Sequence, residues 1–329
     1  MKLAREAKLY RQNGQYLLAL QCAKNSTVRS GKIEHVRALS WLAQYQAALQ
    51  ILDSIDPNID TPKERLDYIS AQNTLLVNLG QYDALDAQLA SLHSILEQIT
   101  DTIDSAVTHQ QIAMVHGVLC HTKASIEHAE MATLLCQPLG PIRECGEAWY
   151  TLADAQHRAQ EYKRSQASWT RCLSIQQSAL RENHPEMALT LDGFALTLRQ
   201  CSQPEMAIAL HEKAKTIYES ELPPNHPALG ACLHGLGQAL FRCGHFHRAT
   251  RTFKLSLLCA EQNLPEDHPD ICITRFELGR SEFDSGKCTE GALRMKVAHQ
   301  KLGLLFGKEH PMVKRMKAWL DELLKTSNI

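Results

Sequence analysis

The stretch that decides the fold is HPALGACLHGLGQALFRCGHFHRATRTFKLSLLCAEQNLPED, residues 226–267. The His-Pro pair that opens it occurs four times, at His184-Pro185, His226-Pro227, His268-Pro269 and His310-Pro311. The differences 226 − 184, 268 − 226 and 310 − 268 are all 42. An internal period of this length indicates an array of stacked supersecondary units, each too small to bury its apolar face alone.

Small residues keep the same 42-residue register. The residue eleven positions after the His of a unit is Ala195, Gly237 or Gly279. The residue 23 positions after it is Ala207, Ala249 or Gly291, and the residue 30 positions after it is Ala214, Ser256 or Ala298. Large residues accompany them at helical spacing, and Trp169, His211, Phe253 and Met295 share one register position. Two helices approach closely only where side chains are small, so each unit is predicted to be a helix hairpin with these large residues in its core.

Prolines and turn residues mark the ends of each unit. Proline after His suits the first position of a helix, where its missing N–H costs nothing. The predicted turns inside the hairpins are Cys201-Ser202-Gln203-Pro204, Cys243-Gly244-His245 and Ser285-Gly286-Lys287. The chain is 44% apolar but only 6% aromatic, which favours helices over strands.

Two segments carry a specific resemblance. Trp149-x2-Leu152-Ala153 and Leu233-x2-Leu236-Gly237, the latter followed by Ala249-x3-Phe253, resemble the tetratricopeptide consensus. The period of 42 and the His-Pro start are similar to the longer repeats of kinesin light chains. The resemblance implies an all-α, right-handed α-solenoid.

The N-terminal half repeats less regularly. Gly14-Gln15-Tyr16, Ala43-Gln44-Tyr45, Gly80-Gln81-Tyr82 and Gln160-Glu161-Tyr162 look like one turn at uneven spacing. The last gap leaves room for an unmarked unit around 112–135, so we predict about eight hairpins. The predicted organisation is irregular hairpins over 1–141, regular repeats over 142–309 and a capping helix over 310–329, which an exposed solenoid end needs.

Charge and hydropathy exclude several classes of protein. Lys and Arg number 35 against 36 Asp and Glu, so the basic excess typical of nucleic-acid binding is absent. No apolar run reaches the ~18 residues of a membrane span, and the charged N-terminus has no signal-peptide core. We expect a cytoplasmic protein without membrane insertion, whose eleven cysteines are reduced and mostly buried.

Candidate chemistry in the sequence is weak. Cys243, His245 and His247 form the tightest Cys/His group, yet Cys201 occupies the same register one period earlier without histidines. Cys120-His121 are neighbours on a predicted helix and do not face one another. The sequence contains no phosphate loop, no paired Cys-x2-Cys and no His-Glu-x2-His. We therefore predict no catalytic residues, no metal site, no cofactor and no enzyme activity.

The binding surface is inferred from the resemblance. In tetratricopeptide proteins the first helix of each hairpin lines the concave groove. Transferred by register, the predicted partner-binding residues are Tyr150, Arg158, Asp192, Arg199, His234, Gln238, Arg242, Phe276 and Arg280. Kinesin light chains carry paired asparagines on this helix, where the present sequence has Asp192-Gly193, His234-Gly235 and Phe276-Glu277.

One arginine recurs in each unit of the predicted groove, at positions 158, 199, 242 and 280. Arginine forks bind carboxylates, which suits an acidic peptide or a free C-terminus. The acids Asp154, Asp192, Glu277 and Asp284 share these faces, so internal pairing is the competing interpretation.

Two functions follow from the sequence. The first is a non-catalytic scaffold or adaptor that binds a peptide or partner domain, as part of a larger complex. The alternative is a sensor subunit that binds a ligand or partner and controls a separately encoded effector.

Overall fold

The computed structural model describes residues 1–327. Within that range the chain forms seventeen α-helices and one 3₁₀ turn, Gln137–Leu139. The first eight helices are α1 Lys2–Gln12, α2 Tyr16–Lys24, α3 Arg29–Trp41, α4 Tyr45–Asp53, α5 Pro62–Asn78, α6 Asp83–Gln98, α7 Thr102–Val118 and α8 Thr122–Cys136. The others are α9 Arg143–Arg158, α10 Tyr162–Ala179, α11 Pro185–Gln200, α12 Pro204–Glu221, α13 Pro227–Arg242, α14 Phe246–Asn263, α15 Pro269–Asp284, α16 Cys288–Phe306 and α17 Pro311–Ser327.

In chain order the helices make eight consecutive pairs, from α1/α2 to α15/α16, followed by α17. This confirms the predicted all-α tetratricopeptide solenoid of about eight hairpins with a terminal helix. The unmarked unit predicted around 112–135 is the hairpin α7/α8, whose turn lacks the Gly-Gln-Tyr-like sequence of the other turns. The last two residues of the predicted capping segment lie outside the described residues.

The chain divides into two compact units, Met1–Thr197 and Leu198–Ile329. Unit 1 ends inside α11 and contains the irregular front hairpins together with α9/α10. The remaining helices from α12 to α17 lie in unit 2.

The periodic small residues receive the large residues of adjacent helices. In unit 2, Phe253 is fully buried, and a Cβ on Gly237 would lie 2.7 Å from its Cε1 atom. Gly279 and Gly291 face each other across α15/α16, where a Cβ on Gly291 would meet the Gly279 carbonyl oxygen at 2.4 Å. Trp169 and Met295 are also buried, at 1% and 0% exposure. All four members of that register position, Trp169, His211, Phe253 and Met295, are therefore buried, as predicted.

Each His-Pro pair starts a helix. The Nδ1 atoms of His184, His226, His268 and His310 accept hydrogen bonds from the main-chain N–H two residues later, at 3.1, 3.1, 3.2 and 3.3 Å respectively. The first N–H groups of a helix lack partners within the helix, and a side-chain acceptor at the cap satisfies one of them. The histidines thus cap these helices, and the proline after each of them is the first helical residue, as predicted.

One long-range contact within unit 1 has no counterpart in the repeat pattern. The turn between α1 and α2 packs on the loop before α11: the His184 imidazole lies with Nε2 3.1 Å from the Gln12 carbonyl oxygen. A Cβ on Gly14 would lie 2.6 Å from Cδ of Pro185. Because Gln12 and His184 are 172 positions apart, the first hairpin returns to the fifth inter-hairpin loop.

Buried charges accompany this contact. Arg143 on α9 forms ion pairs with Glu186 on α11 and with Glu147 on its own helix. Nε of Arg143 is 3.1 Å from Oε2 of Glu186, and Nη2 of Arg143 is 2.7 Å from Oε1 of Glu147. The Arg143 and Glu186 side chains are only 15% and 8% exposed. Nearby, Tyr16 of α2 is 2% exposed, and burial, followed by the charge of Glu186, raises the pKa of its phenol.

Candidate functional site

On the first helices of unit 1, the predicted residues form a small polar group. Tyr150 packs edge-on against Trp169, with ring centroids 5.1 Å apart. Burial raises the pKa of Tyr150, and the charges of Asp154 and Asp192 act in the same direction. The phenol is therefore protonated at neutral pH and can donate a hydrogen bond. Arg158 binds Asp154, with Nε 2.7 Å from Oδ2.

Unit 2 connects arginines of successive first helices. Arg242 on α13 donates from Nη1 to the main-chain carbonyl of Arg199 at 2.9 Å. The Arg199 guanidinium in turn donates from Nη1 to Oε1 of Gln238. These contacts fix Arg199, Gln238 and Arg242 as one ladder along adjacent repeats. We call these three residues the arginine ladder.

His234 lies on the same helix as Gln238 and Arg242. Its Nδ1 is 3.1 Å from Oγ1 of Thr274, and its ring meets Phe253 edge-on with centroids 5.7 Å apart. Burial, then the charge of Arg199, lowers the pKa of His234 to about 4. The imidazole is therefore neutral at pH 7 and adds no charge beside the ladder.

The last predicted positions are covered by α17. Arg280 is stacked between rings, 4.6 Å from the Phe241 centroid and 4.2 Å from that of Trp319, and donates to Glu277 at 3.0 Å. Phe276 is 0% exposed and packs near Trp319, with ring centroids 6.4 Å apart. The capping helix therefore takes Phe276 out of any accessible surface in unit 2 and gives Arg280 a packing role.

Two carboxylates of α15 lie near arginines of unit 2. The charges of Arg280, Arg199 and Arg315 act on Glu277, whose pKa burial raises. Burial also raises the pKa of Asp284, against the charge of Arg280. Desolvation thus opposes the ionisation of both carboxylates.

The structure answers part of the question about the four arginines. Arg158 and Arg280 each bind a carboxylate of their own helix, as the internal-pairing interpretation holds. Arg242 is exposed and donates to an uncharged carbonyl, so that contact leaves its charge uncompensated.

A group of histidines on α6, α7, α8 and the turn before α8 was missed by the sequence analysis. Its members are His93, His109, His116, His121 and His128, which we call the histidine cluster. Nδ1 of His109 lies 2.9 Å from Nδ1 of His128, and the corresponding atoms of His116 and His121 are 3.3 Å apart.

Desolvation lowers the pKa of His109 and His116, and desolvation with the neighbouring histidines lowers that of His128 to about 4. The signal in the sequence is a spacing of seven that occurs twice, since 116 − 109 and 128 − 121 are both 7. That spacing places both members of a pair on one side of a helix.

The Cys/His group weighed in the sequence lies elsewhere. Cys243 is half-buried in the α13–α14 turn, where burial raises the pKa of its thiol, and His245 and His247 are exposed. Among the described residues the cysteines are free, and six of them are buried.

Comparison with known families identifies the repeat. The family model described as tetratricopeptide repeat matches residues 144–220 and 187–262. Residues 144–262 are therefore tetratricopeptide repeats. They include the 42-residue unit that begins at His184 and most of the unit that begins at His226, and these repeats are similar to those of kinesin light chains. No curated protein matches the sequence.

Three solved structures place the fold among known solenoids. A Rap protein complexed with competence and sporulation factor is 13% identical, with a TM-score of 0.65 over 98% of this chain and 96% of that one. A putative kinesin light chain repeat structure from Podosopora anserina is 17% identical, with a TM-score of 0.55 over 63% of this chain and 99% of that one. A STAND protein with a tetratricopeptide repeat sensor from Pyrococcus horikoshii is 16% identical, with a TM-score of 0.59 over 98% of this chain and 48% of that one.

None of the helices in the described part of the chain has the length and apolar character needed to cross a membrane.

Proposed function

We propose that this tetratricopeptide-repeat protein is a non-catalytic scaffold that binds a peptide or partner domain along the first helices of its hairpins, with the arginine ladder of unit 2 as the anchor for a carboxylate. The observation that carries the proposal is the ladder itself. Arg199 and Arg242 lie at the C-terminal ends of α11 and α13, and the Arg242 guanidinium donates a hydrogen bond to the Arg199 main-chain carbonyl. The exposed Arg242 guanidinium is thereby held beside the end of α11 that carries Arg199.

The chemistry of the ladder suits an acidic ligand. A guanidinium has five N–H donors, so a single bond to the Arg199 carbonyl leaves Arg242 with donors for a bidentate carboxylate. A pre-ordered arginine loses less side-chain entropy on binding than a free one. Either an acidic side chain or a free C-terminus supplies the required group.

Neighbouring residues would fix the orientation of the bound segment. Gln238 and the neutral His234 supply polar groups beside the ladder in unit 2. Within unit 1, Tyr150, Arg158 and Asp192 are proposed as a separate set of polar contacts. Phe276 is left out of the proposed surface because α17 covers it. Solenoids bind extended partners over several repeats, which accords with polar groups spread along successive first helices.

The sensor role remains the second candidate. Its support is the likeness over 98% of the chain to a Rap protein complexed with competence and sporulation factor, and to a STAND protein with a tetratricopeptide repeat sensor. Binding by the first helices is common to both candidates. They differ in whether an effector protein responds to the bound segment.

The decisive experiment compares partner recovery by two charge-reversed variants. Arg199→Glu with Arg242→Glu should abolish capture of the partner from a host lysate, detected by mass spectrometry, while leaving helical circular dichroism intact. The matched control is Lys213→Glu with Arg251→Glu, which makes the same charge change at exposed positions of the second helices α12 and α14. This control should capture the partner as the wild type does.

Synthetic peptides then test the carboxylate. A peptide from the captured protein should bind at least about tenfold more tightly than the same peptide with its acidic groups amidated, since removing a charge-assisted bond costs about 1.5–3 kcal/mol. Equal recovery of every partner by the wild type and the ladder variant would refute the proposed surface.

A further inference from the structure

A pocket of about 440 Å³ lies in unit 1, between the end of α8, the first two turns of α9 and the second half of α10. We call it the α8–α10 pocket. Cys136, Cys145 and Ile175 of its lining are 3%, 1% and 7% exposed, and the Trp149 side chain in the same lining is half-buried. The pocket therefore has an apolar floor and an aromatic ring in its lining.

The pocket lies where α8 ends early. α8 has 15 residues, whereas α10, α12 and α14 have 18 each. All four helices begin two residues after the residue of positive φ in their turn, so the difference falls at the C-terminal end of α8. Pro138 cannot donate the helical hydrogen bond, and the chain forms the 3₁₀ turn Gln137–Leu139 there. Gly140, with a φ of 77°, then directs the chain along the pocket toward α9.

The two cysteines of the floor are uncharged. Burial, followed by the hydrogen bond to Cys145, raises the pKa of the Cys136 thiol. Cys145 also carries its proton, because its Sγ donates to the Cys136 main-chain carbonyl over 3.5 Å. Neutral thiols behave as small apolar groups, and only thiolates bind metal ions well. The floor therefore suits a hydrocarbon or aromatic group.

Arg171 is the charged side chain among the described residues that line the pocket. It is exposed, and no hydrogen bond or ion pair with another described residue engages its guanidinium. Ser174 and Ser178 follow three and seven residues later, which places their hydroxyls on the same side of α10. The pocket thus combines an apolar floor with one cation whose donors are available and with two hydroxyl groups.

We propose that the α8–α10 pocket binds a small aromatic carboxylate, with its ring system against Trp149 and Ile175 and its carboxylate on Arg171. Small-molecule sites typically measure about 300–1,000 Å³ and combine an apolar lining with a few polar groups. An indole ring offers an aromatic ligand stacked or edge-on contact. One guanidinium matches one carboxylate through two parallel hydrogen bonds, which favours a ligand of single negative charge. This ligand is distinct from the partner proposed for the arginine ladder of unit 2.

Isothermal titration calorimetry of the full chain with 2-naphthoate tests the proposal. We expect saturable binding of one 2-naphthoate per chain. The neutral isostere 2-naphthamide should bind at least about tenfold more weakly, because it lacks the charge-assisted hydrogen bonds. Absence of saturable binding, or equal affinity for the two compounds, would overturn the assignment.

Two variants at exposed positions locate the ligand. Arg171→Gln should weaken 2-naphthoate binding at least about tenfold and leave 2-naphthamide binding unchanged. Ser174→Trp fills the pocket with an indole ring and should abolish the binding of both compounds. Unchanged 2-naphthoate affinity in either variant would place the ligand elsewhere and refute the pocket as its site.

The matched controls lie 42 residues later on α12, where Lys213 and Thr216 occupy the same register and are exposed. Lys213→Gln and Thr216→Trp should bind 2-naphthoate as the wild type does. Helical circular dichroism shows that each variant is folded before titration. Equal losses in the controls and in the pocket variants would indicate scattered surface binding and would also refute the site.

Discussion

Two helix glycines of this protein make room for rings from the preceding hairpin. A Cβ on Gly193 would lie 2.7 Å from Cη2 of Trp169, and one on Gly235 would lie 2.6 Å from Cε1 of His211. Glycine inside a helix costs about 1 kcal/mol relative to alanine. The burial of a large ring against the next helix offsets that cost. In both cases a side chain of the neighbouring repeat occupies the space that the glycine leaves.

Gly237 provides the most direct test of the register. Replacing Gly237 with Leu forces Phe253 off its rotamer and should lower the free energy of unfolding by about 1–3 kcal/mol. Ala231→Leu is the control, because Ala231 is an exposed position of the same helix α13 and surface changes are usually within about 0.5 kcal/mol. The two variants are compared by urea denaturation. Equal unfolding midpoints for both variants would contradict the packing of Gly237 on Phe253.

Residue-level prediction succeeded for the core and was incomplete for the surface. A fixed period identifies buried positions because every unit repeats the same two helices. It carries no information about what stops the array. Phe276 has the register of a groove residue, yet α17 packs over it. The docking of a capping helix depends on its own apolar face and not on the repeat, so the period alone places Phe276 wrongly as an exposed side chain.

At the scale of helices, the His-Pro pair combines two stabilising features. Proline fixes the backbone angle at the first helical position, and the preceding histidine accepts the N–H of the following residue through Nδ1. In its neutral form such a histidine carries its proton on Nε2, which directs that atom outward as a donor. His184 uses this atom toward the Gln12 carbonyl, so one side chain caps α11 and also holds the first hairpin.

His268 is the best position at which to measure the cap. His268→Ala removes the acceptor for the Asp270 N–H and should destabilise unit 2 by about 0.5–2 kcal/mol. His268→Asn should restore most of the loss, because asparagine is among the strongest capping residues. Thermal unfolding followed by circular dichroism distinguishes the three proteins. If the Asn and Ala variants melt together, the side-chain cap contributes nothing and proline alone starts α15.

Turns show how far local sequence determines the elements. The residues with positive φ inside the hairpin turns include Gly14, Gly80 and Gly244, but also Ala43, Gln160 and Ser202. A residue with positive φ is therefore common to all these turns, and glycine is only one of the residue types that adopt this conformation here. Glycine content alone would have missed half of these turns, whereas a Tyr two residues later marks the turns at Gly14, Ala43, Gly80 and Gln160 but not those at Ser202 and Gly244. The histidine cluster was missed for a related reason: its two pairs lie on different helices and meet only through hairpin packing.

At the scale of the molecule, unit 1 contains a contact that no repeat pattern can predict. The α1–α2 turn and the loop before α11 are separated by more than four hairpins along the chain, yet His184 reaches Gln12. Each repeat step rotates the chain by an amount that depends on packing details, and the total determines which distant units meet. Nothing in residues 1–24 differs in pattern from an ordinary hairpin. This part of the architecture therefore required the structure.

The buried ion group beside that contact gives a test of how firmly the first hairpin is held. Arg143→Met leaves Glu186 without its buried cation, which should destabilise unit 1 by about 3–5 kcal/mol. Tyr16 feels the charge of Glu186, so the uncompensated carboxylate also acts on α2. We expect faster hydrogen–deuterium exchange in α1 and α2 of this variant, with little change in α15 and α16.

Neutralising both acids distinguishes lost charge balance from lost packing. In the triple variant Arg143→Met, Glu147→Gln, Glu186→Gln, no charge remains buried without a partner, so much of the stability and the protection of α1 should return. If α1 exchanges at the wild-type rate in Arg143→Met, the ion group does not hold the first hairpin. If the triple variant exchanges as fast as the single one, the aliphatic and hydrogen-bonding contacts of Arg143, rather than its charge, secure α1 against the rest of unit 1.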